Sequence, residues 1–153
     1  MTTDRHGITV LDVHDCWDLL RQADVGRLAV TLHDETEIFP INFVVDRDTV
    51  VFRSAQGTKL VGAIEGRTVA FEADGYEPEA GEAWSVIIKG RATEIERNHE
   101  LFEVMHLPLF PWHAGRKHHF VRIEPLGVSG RRFHVTDKDS WEILPRTVDT
   151  SRE

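Results

Sequence analysis

The sequence predicts a mainly β protein, an antiparallel barrel of about six strands that is closed or partly closed, with a few short helices. Stretches of alternating apolar and polar residues recur along the 153 residues, and short turn-like segments separate most of them. The strands and helices do not alternate as they do in a parallel sheet, and there is no Gly-x-Gly-x-x-Gly motif and no Walker loop. A sandwich of two sheets is the alternative fold.

The N-terminal part predicts a loosely held arm followed by a helix. Met1–Val10 is short and mixed and has no targeting pattern. Within Leu11–Ala23, apolar residues recur at i, i+3, i+4 and i+7 and therefore share one helix face: Val13, Cys16, Trp17 and Leu20. Asp12 is a suitable N-cap for this helix. We expect Cys16 to be a buried thiol and Trp17 to be a core residue.

Alternation predicts six strands. They are Arg27–His33, Glu37–Asp46, Thr49–Ser54, Arg67–Ala73, Trp84–Glu96 and about His118–Ile123, with a possible continuation over Gly127–Val135. Pro40 marks an edge or a bulge in the second strand, because proline cannot donate to a ladder. Gly90 suggests a bulge in the fifth strand. Between the fourth and fifth strands, Asp74–Ala83 predicts an acidic loop rich in glycine and proline.

The alternation also predicts which side chains share a face. In the second strand, Phe39, Ile41, Phe43 and Val45 oppose Ile38, Pro40, Asn42 and Val44. In the fifth strand, Trp84, Val86 and Ile88 oppose Ser85, Ile87, Lys89 and Arg91.

Two further helices are predicted between strands. Thr58–Ile64 ends at Glu65-Gly66, and Asn98–Met105 precedes the loop Leu107–Gly115. Residues 1–135 fit a single domain, and residues 136–153 form a polar tail. Three apolar residues of the tail could dock on the domain: Trp141, Ile143 and Leu144.

The composition favours an acidic cytoplasmic protein without disulfides. The formal net charge is −8, with 26 acidic residues against 18 Lys and Arg, so a general nucleic-acid surface is not expected. The single cysteine excludes an intramolecular disulfide, and no apolar stretch is long enough for a signal-peptide core or a membrane span. Any site for an anion must therefore be a local cluster of positive charge.

Val50–Leu60 contains such a cluster. An apolar strand ends in Arg53 and Ser54, and a loop glycine then introduces Thr58 and Lys59. Cations, hydroxyls and the N–H groups at the start of a helix together suit a phosphate. The same residues would also form an ordinary surface turn with two solvated cations, and from these residues alone the two interpretations are about equally probable.

Six short motifs, taken in order, resemble the pyridoxamine 5′-phosphate oxidase-like flavin-binding proteins. They are Gly26-Arg-Leu-Ala29, Phe39-Pro-Ile-Asn-Phe-Val-Val45, Val51-Phe-Arg-Ser54, Gly57-Thr-Lys-Leu60, Trp84-Ser-Val86 and Lys89-Gly-Arg91. Each motif is weak alone and the ordered set is specific. The resemblance covers roughly residues 10–132. It implies a six-stranded split β-barrel that forms a homodimer with FMN bound at the subunit interface.

The resemblance also implies which residues bind the cofactor. The phosphate site is implied for Arg53, Ser54, Thr58 and Lys59, with Leu60 in the same motif. The flavin ring is implied to lie along Pro40, Ile41 and Asn42. A further wall of the cleft is implied for Trp84, Ser85 and Val86, followed by the cations Lys89 and Arg91. In the loop Leu107–Gly115, Trp112 and His113 would close the neighbour's site. This is an inference from the aromatic and proline-rich character of that loop.

The sequence departs from the family pattern in one segment, so the resemblance does not determine the reaction. A C-terminal segment for vitamin B6 substrates is not found, and Gly130–His134 is only a faint likeness, so oxidation of pyridoxamine phosphate is not expected. An FMN-dependent oxidoreductase acting on an unknown small molecule is the first hypothesis. An F420-dependent reductase and a flavin- or haem-binding protein without turnover are the alternatives, since related barrels use these cofactors.

Neither a metal site nor a nucleophile is predicted. The densest histidines, His106, His113, His118 and His119, lack the spacing of a zinc site and have no cysteine partner. No serine lies in a Gly-x-Ser-x-Gly elbow. The flavin would carry the redox chemistry, so no catalytic acid or base is demanded.

Overall fold

The computed structural model describes residues 2–54, 57–96 and 119–135, with the side chains of residues 57–59 excepted. In this part of the chain there are eight strands and two helices. They are β1 Thr2–Thr3, β2 Ile8–Val10, α1 Val13–Leu20, β3 Val25–Leu32, β4 Glu35–Asp46, β5 Thr49–Ser54, α2 Gly57–Ile64, β6 Thr68–Glu77, β7 Glu82–Glu94 and β8 His119–His134. Neither helix is long and apolar enough to cross a membrane.

Six strands close into a ring, which confirms the predicted antiparallel barrel. The strand order is β8-β5-β4-β3-β6-β7, and β7 pairs again with β8. Every one of these pairings is antiparallel. The small strands β1 and β2 extend the sheet from β8.

The ring is split on one side because β8 changes partner along its length. Its first part pairs with β5, from Ser54↔His119 to Val50↔Ile123. Its last part pairs with β2 instead, while β7 follows it throughout. The first half of β4 likewise pairs only with β3, since its register with β5 begins at Phe43. Pro40 lies in this edge half, as predicted, where its missing N–H need not break a second ladder.

The core fills the ring, because the inward side of each strand is apolar. Phe52 of β5 and Phe71 of β6 are fully buried. Phe71 meets Phe43 edge-to-face, with ring centroids 4.8 Å apart. Of the two faces predicted for the long fifth strand, the one with Trp84, Val86 and Ile88 is buried, and the opposing residues are more exposed. The predicted division of this strand into two faces is therefore confirmed, and the structure shows which face is the inner one.

Helix α1 packs against β7 and β8. Asp12 caps it as predicted, since its Oδ1 accepts a hydrogen bond from the Asp15 N–H at 2.8 Å. Cys16 and Trp17 are buried, as predicted. Burial, followed by the charges of Asp12 and Asp15, raises the pKa of the Cys16 thiol. Cys16 is thus a packing residue.

Three boundaries differ from the sequence prediction. The predicted loose arm contains β1 and β2, and β2 pairs with β8. The predicted loop Asp74–Ala83 shrinks to a turn, because β6 runs to Glu77 and β7 starts at Glu82. In both places, pairing with another strand produces a strand where the local composition did not predict one. Helix α1 ends at Leu20, earlier than predicted, although turn hydrogen bonds continue to Ala23.

The predicted bulge is present, since the register of β7 with β8 shifts between Lys89 and Gly90. Three predictions lie outside the described residues: the helix Asn98–Met105, the loop Leu107–Gly115 and the tail after Thr136.

Candidate functional site

The predicted phosphate strand ends on the outside of the barrel. The outward side chains of β4, β5 and β8 form one surface, which we call the Arg53 face: Asn42, Val44, Val51, Arg53, Phe120 and Arg122. Val51 and Phe120 are buried there in a small apolar cluster with Ile95. Arg53 is directly opposite Phe120, and its Cζ atom lies 6.0 Å from the ring centroid. A partly buried cation therefore borders an apolar patch.

Arg122, the other arginine of the Arg53 face, is already engaged by the protein. Its Nη1 donates to Asp46 Oδ2 at 2.9 Å and to Thr49 Oγ1 at 2.7 Å. Those two residues flank the turn between β4 and β5. Arg122 thus holds β8 to this hairpin, whereas Arg53 lies over the Phe120 ring.

The remaining residues of the predicted phosphate site are Ser54, Thr58 and Lys59, and the structure describes the side chain of Ser54 alone among them. Ser54 points to the opposite side of β5 from Arg53 and is only 4% exposed. Helix α2 begins at Gly57, three positions after Ser54, so the predicted order of strand end and helix start is present. The side chains of Thr58 and Lys59 are outside the described part of the structure. Their role, like that of Ser54, stays a prediction.

Four of the predicted cofactor residues have side chains that point into the core. Ile41, Leu60, Trp84 and Val86 all belong to the main hydrophobic cluster. Trp84 packs on Gly75, where a Cβ would come 2.6 Å from the indole Cε2. These side chains are occupied by packing, so a role in the cleft would have to use their backbone groups. In the sequence, these residues belong to the apolar pattern of their strand or helix, and the same pattern places their side chains in the core.

The outward candidates are Pro40 and Asn42 on β4 and Ser85, Lys89 and Arg91 on β7. Asn42 is partly buried and its Oδ1 atom is fully buried. Pro40 is exposed on the same face of the edge half of β4. In this half, peptide groups that turn away from β3 have no partner strand among the described residues, which suits hydrogen bonds to the polar edge of a ring.

Ser85 lies on the same outer face of the sheet as the Pro40–Asn42 segment. Pro40 is opposite Arg27 of β3, Arg27 is opposite Glu72 of β6, and β6 pairs with β7 along Ser85 and Ile87. Three strand spacings of about 4.8 Å each therefore separate the two predicted walls within one chain. Trp112 and His113, predicted for a neighbour's site, lie outside the described residues.

A groove of about 410 Å³ crosses the outer side of β4, β3, β6 and β7. We call it the outer groove; it is lined by Arg27, Ala29, Ile38, Ala70, Phe71, Glu72, Asp74 and Ile87. Ile38 is 66% exposed and Ile87 is 41% exposed, which is unusual for isoleucine. The groove was not singled out from the sequence, although alternation placed Ile38 on the face of Pro40 and Asn42, and Ile87 on the face of Ser85 and Lys89.

The polar end of the outer groove is a cluster of three charged residues. Arg27 Nη1 lies 3.1 Å from Asp74 Oδ1 and 3.5 Å from Glu72 Oε2. Burial, together with the neighbouring Asp74 carboxylate, raises the pKa of Glu72, while Arg27 acts in the opposite direction. The cluster carries one more negative than positive charge when all three residues are ionised.

The described residues contain no group of three or more His, Cys, Asp or Glu placed to hold a metal ion. Of the four histidines weighed as ligands from the sequence, only His119 is in this part of the chain.

Comparison with known proteins identifies relatives over most of the chain. A family model described as pyridoxamine 5′-phosphate oxidase matches residues 12–132. The structure of an FAD binding protein from Mycobacterium smegmatis is 41% identical, with a TM-score of 0.71 and coverage of 82% of this chain and 98% of that one. A Corynebacterium diphtheriae protein of unknown function is 36% identical, with a TM-score of 0.70 and coverage of 83% and 98%. A protein of Mycobacterium tuberculosis H37Rv is 32% identical over 130 residues, 82% of this chain and 85% of its own length.

Proposed function

Because the chain belongs to the pyridoxamine 5′-phosphate oxidase family, we propose that it binds a phosphate-bearing flavin and uses it as an oxidoreductase on a small molecule. The observation that carries this proposal is the position of Arg53, partly buried at the end of β5 and shortly before α2. Vitamin B6 oxidation is not proposed, because the C-terminal segment for that substrate is not recognised in the sequence.

The chemistry of the Arg53 face fits the phosphate end of a flavin. The guanidinium lies beside the Phe120 ring, where less water screens its charge than at an open surface. The first turn of α2 follows within a few residues, and its N–H groups have no partner within the helix. In a protein of net charge −8, such a local positive site is what a small anionic cofactor requires.

The edge half of β4 fits the ring end. Pro40 offers a flat apolar surface, and Asn42 offers an amide on the same face. Peptide groups that lack a partner strand can hydrogen-bond the polar edge of an isoalloxazine. In this arrangement the protein orients the ring and excludes water from it, while a bound flavin would supply the hydride or electron transfer.

A second copy of the chain would complete the cleft. Ser85 and Lys89 are outward-facing on β7, three strands away from the Pro40–Asn42 segment of their own chain. The outer groove, with its exposed Ile38 and Ile87, lies between these residues and the Pro40–Asn42 segment. We therefore assign the outer groove to a homodimer interface that brings the β7 residues of one copy to the Arg53 face of the other.

FMN is the flavin expected from the sequence resemblance, and FAD is the second candidate. The Mycobacterium smegmatis relative, 41% identical, is described as an FAD binding protein. Both flavins carry a phosphate on the ribityl chain, which is the group that Arg53 would meet. The deazaflavin F420 presents a phosphate in a similar position and is the remaining alternative.

Binding titrations with FMN, FAD, F420 and riboflavin test the proposal. We expect a flavin with a phosphate to bind at least about tenfold more tightly than riboflavin, since a hydrogen bond to a charged group contributes that much. Arg53→Ala should remove most of this preference, and Arg5→Ala, which removes an exposed arginine in the β1–β2 turn, should leave it unchanged. Equal affinity of the wild-type protein for FMN, FAD and riboflavin would contradict the phosphate assignment.

Turnover is a separate measurement. Reduction of the bound flavin by NADH or NADPH, followed by reoxidation with a quinone or a nitro compound, would support an oxidoreductase. A tightly bound flavin that is not reduced under these conditions would favour storage or sensing instead.

A further inference from the structure

Two exposed aromatic side chains flank a small residue at one end of the barrel and have no role in the proposed flavin site. Tyr76 of β6 is directly opposite Ala83 of β7, and Ala83 is directly opposite Phe133 of β8. Direct partners in an antiparallel ladder share a face of the sheet. Tyr76 is 56% exposed and Phe133 is 39% exposed. We call this row of three residues the Tyr76–Phe133 slot.

The slot opens on the outer face of the sheet. Trp84, which follows Ala83, is buried in the core, so strand alternation turns Ala83 outward. Helix α1 packs on the other side of β8, because a Cβ at Gly130 would come 2.6 Å from the Cys16 Sγ atom. Phe133 lies three positions after Gly130 on the same strand and therefore faces away from that helix.

The spacing of the two rings fits one flat ring between them. Neighbouring strands lie about 4.8 Å apart, so the Cα atoms of Tyr76 and Phe133 are about 10 Å apart. Interacting aromatic rings have centroids about 4.5–7 Å apart, so each side chain can contact a ring placed over Ala83. Neither side chain pairs with another aromatic ring among the described residues. Ile8 of β2 is directly opposite Phe133 and flanks it on the side away from the slot.

A row of polar residues runs beside the slot on the same face. Asp74, Ser85 and Arg131 are directly opposite one another across β6, β7 and β8, and each is two residues from a member of the slot. Two residues along a strand correspond to about 7 Å, which a substituent on a ring in the slot can span. Asp74 is paired with Arg27, whose Nη1 lies 3.1 Å from Asp74 Oδ1. Arg131 is exposed at the other end of the row.

We propose that the Tyr76–Phe133 slot binds a flat aromatic acid, with its ring between the two aromatic side chains and its acid group on Arg131. A guanidinium can donate two parallel hydrogen bonds to a carboxylate, and the Ser85 hydroxyl offers a further donor. The Asp74 carboxylate repels an anion, which directs the acid group toward β8.

The position of the slot connects it with the proposed cofactor site. Asp74 also lines the outer groove, and Ser85 belongs to the wall that the family resemblance implies for the flavin cleft. The aromatic acid would thus be the substrate class of the proposed oxidoreductase. This last step rests on the proposed function, whereas binding in the slot does not.

Isothermal titration calorimetry of the full chain with 2-naphthoate tests the proposal. Two matched probes are 2-naphthalenemethanol, which keeps the flat rings without the charge, and cyclohexanecarboxylate, which keeps the charge without a flat ring. Naphthoate should bind at least about fivefold more tightly than either probe, since it alone makes both kinds of contact. Equal binding of the three probes would overturn the inference.

Four variants assign the contacts. Ala83→Leu fills the space between the rings and should weaken naphthoate binding at least about tenfold, with both aromatic side chains still present. Tyr76→Leu should weaken it about three- to tenfold through the loss of one ring contact, and Tyr76→Phe should keep it. Arg131→Gln should lower the affinity for naphthoate to that for the alcohol. Leu126→Ala is the control, since Leu126 is 68% exposed on β8 and lies away from the slot.

The outcomes separate this inference from the proposed flavin function. If Ala83→Leu and Tyr76→Leu bind naphthoate as the wild type does, the slot is not its site and the inference is wrong. If these variants weaken self-association and leave naphthoate binding unchanged, the two rings belong to the dimer interface and the inference is equally overturned. A wild type that binds naphthoate in the slot but does not distinguish FMN from riboflavin would support the slot and contradict the phosphate assignment.

Discussion

Gly26 shows how a single residue permits the barrel to close. It lies on β3, opposite Ile41 of β4 and next to β6. A Cβ added there would run into the Phe71 ring and come 2.8 Å from the Glu72 carbonyl oxygen. Phe71 is fully buried and packs against Phe43, so the ring has little room to move. The glycine thus lets a core ring lie flat against the β3 backbone.

Gly26→Ala should therefore destabilise the protein by about 1–3 kcal/mol through overpacking. Gly62→Ala is the matched control, since Gly62 is in α2 and a Cβ there meets nothing within 4 Å. That substitution should be neutral or stabilise by up to about 1 kcal/mol, because alanine favours helix. Urea unfolding of both variants gives the comparison, and equal effects would mean that Phe71 can move aside.

Glu72 gives a pH dependence whose sign follows from its environment. Burial and Asp74 raise the pKa of this carboxyl in the folded chain above its unfolded value near 4.5. Between those two pKa values the folded state holds more protons, so the contribution of Glu72 to stability falls as pH rises through this window. Glu72→Gln should flatten the loss of stability from about pH 4.5 upward, measured by urea unfolding at several pH values. Glu124→Gln, at an exposed site on β8, is the matched control for the loss of one carboxyl group.

At the scale of elements, β8 holds the barrel together because β7 pairs with it from Val121 to His134 and each of its ends has a second partner strand. Its N-terminal part joins β5 to β7, and its C-terminal part joins β2 to β7. Arg122 adds a side-chain link from β8 to the turn between β4 and β5 through Asp46 and Thr49. The side chains of Arg122 and Asp46 are only 13% and 24% exposed, so this ion pair is largely shielded from water.

Arg122→Ala should cost about 2–4 kcal/mol, because it leaves the Asp46 carboxylate partly buried without this partner. Arg21→Ala is the control, since Arg21 pairs with Asp18 and Asp48 at side-chain exposures of 46%, 51% and 67%. An exposed pair of this kind contributes about 0–1 kcal/mol. Thermal or urea unfolding distinguishes the two. A loss at Arg122 no larger than at Arg21 would mean that water replaces the arginine.

At the scale of the whole molecule, two sets of candidate residues lie on separate parts of one closed sheet. Pro40 and Asn42 lie on β4 with Arg53 on the neighbouring β5, and Ser85 and Lys89 lie on β7. Three strand spacings of about 4.8 Å each separate β4 from β7 across the outer face. A second copy docked on the outer groove can juxtapose them, and the exposed Ile38 and Ile87 supply apolar area for such contact.

Ile38→Lys should weaken self-association at least about tenfold, since it places a charge at an apolar contact in both copies. Flavin affinity should fall in parallel, because in the proposed dimer each site is completed by the second chain. Val13→Lys is the control: Val13 is 54% exposed on α1, away from the groove. Sedimentation velocity over a concentration series, with and without flavin, measures both effects. A wild-type monomer that binds flavin tightly would rule out the shared site.

The sequence by itself determined the local features of this protein. Alternation on β4 and β7 predicted which side chains share a face, Asp12 predicted a helix start, and Pro40 and Gly90 predicted an edge and a bulge. These features depend on neighbours a few residues apart, whose chemistry is visible in the chain. The ordered motifs also identified the family, which the family model confirms.

Only the tertiary structure decided which of the candidate residues lie together. The predicted motif treats Arg53 and Ser54 as neighbours, yet strand alternation sends them to opposite sides of β5, and Trp84 and Val86 are used by the core. Tyr76 and Phe133 are far apart in the sequence and flank Ala83 only because β7 is paired with both β6 and β8. Long-range register sets these distances, and it depends on the closing of the whole ring, which no local pattern encodes.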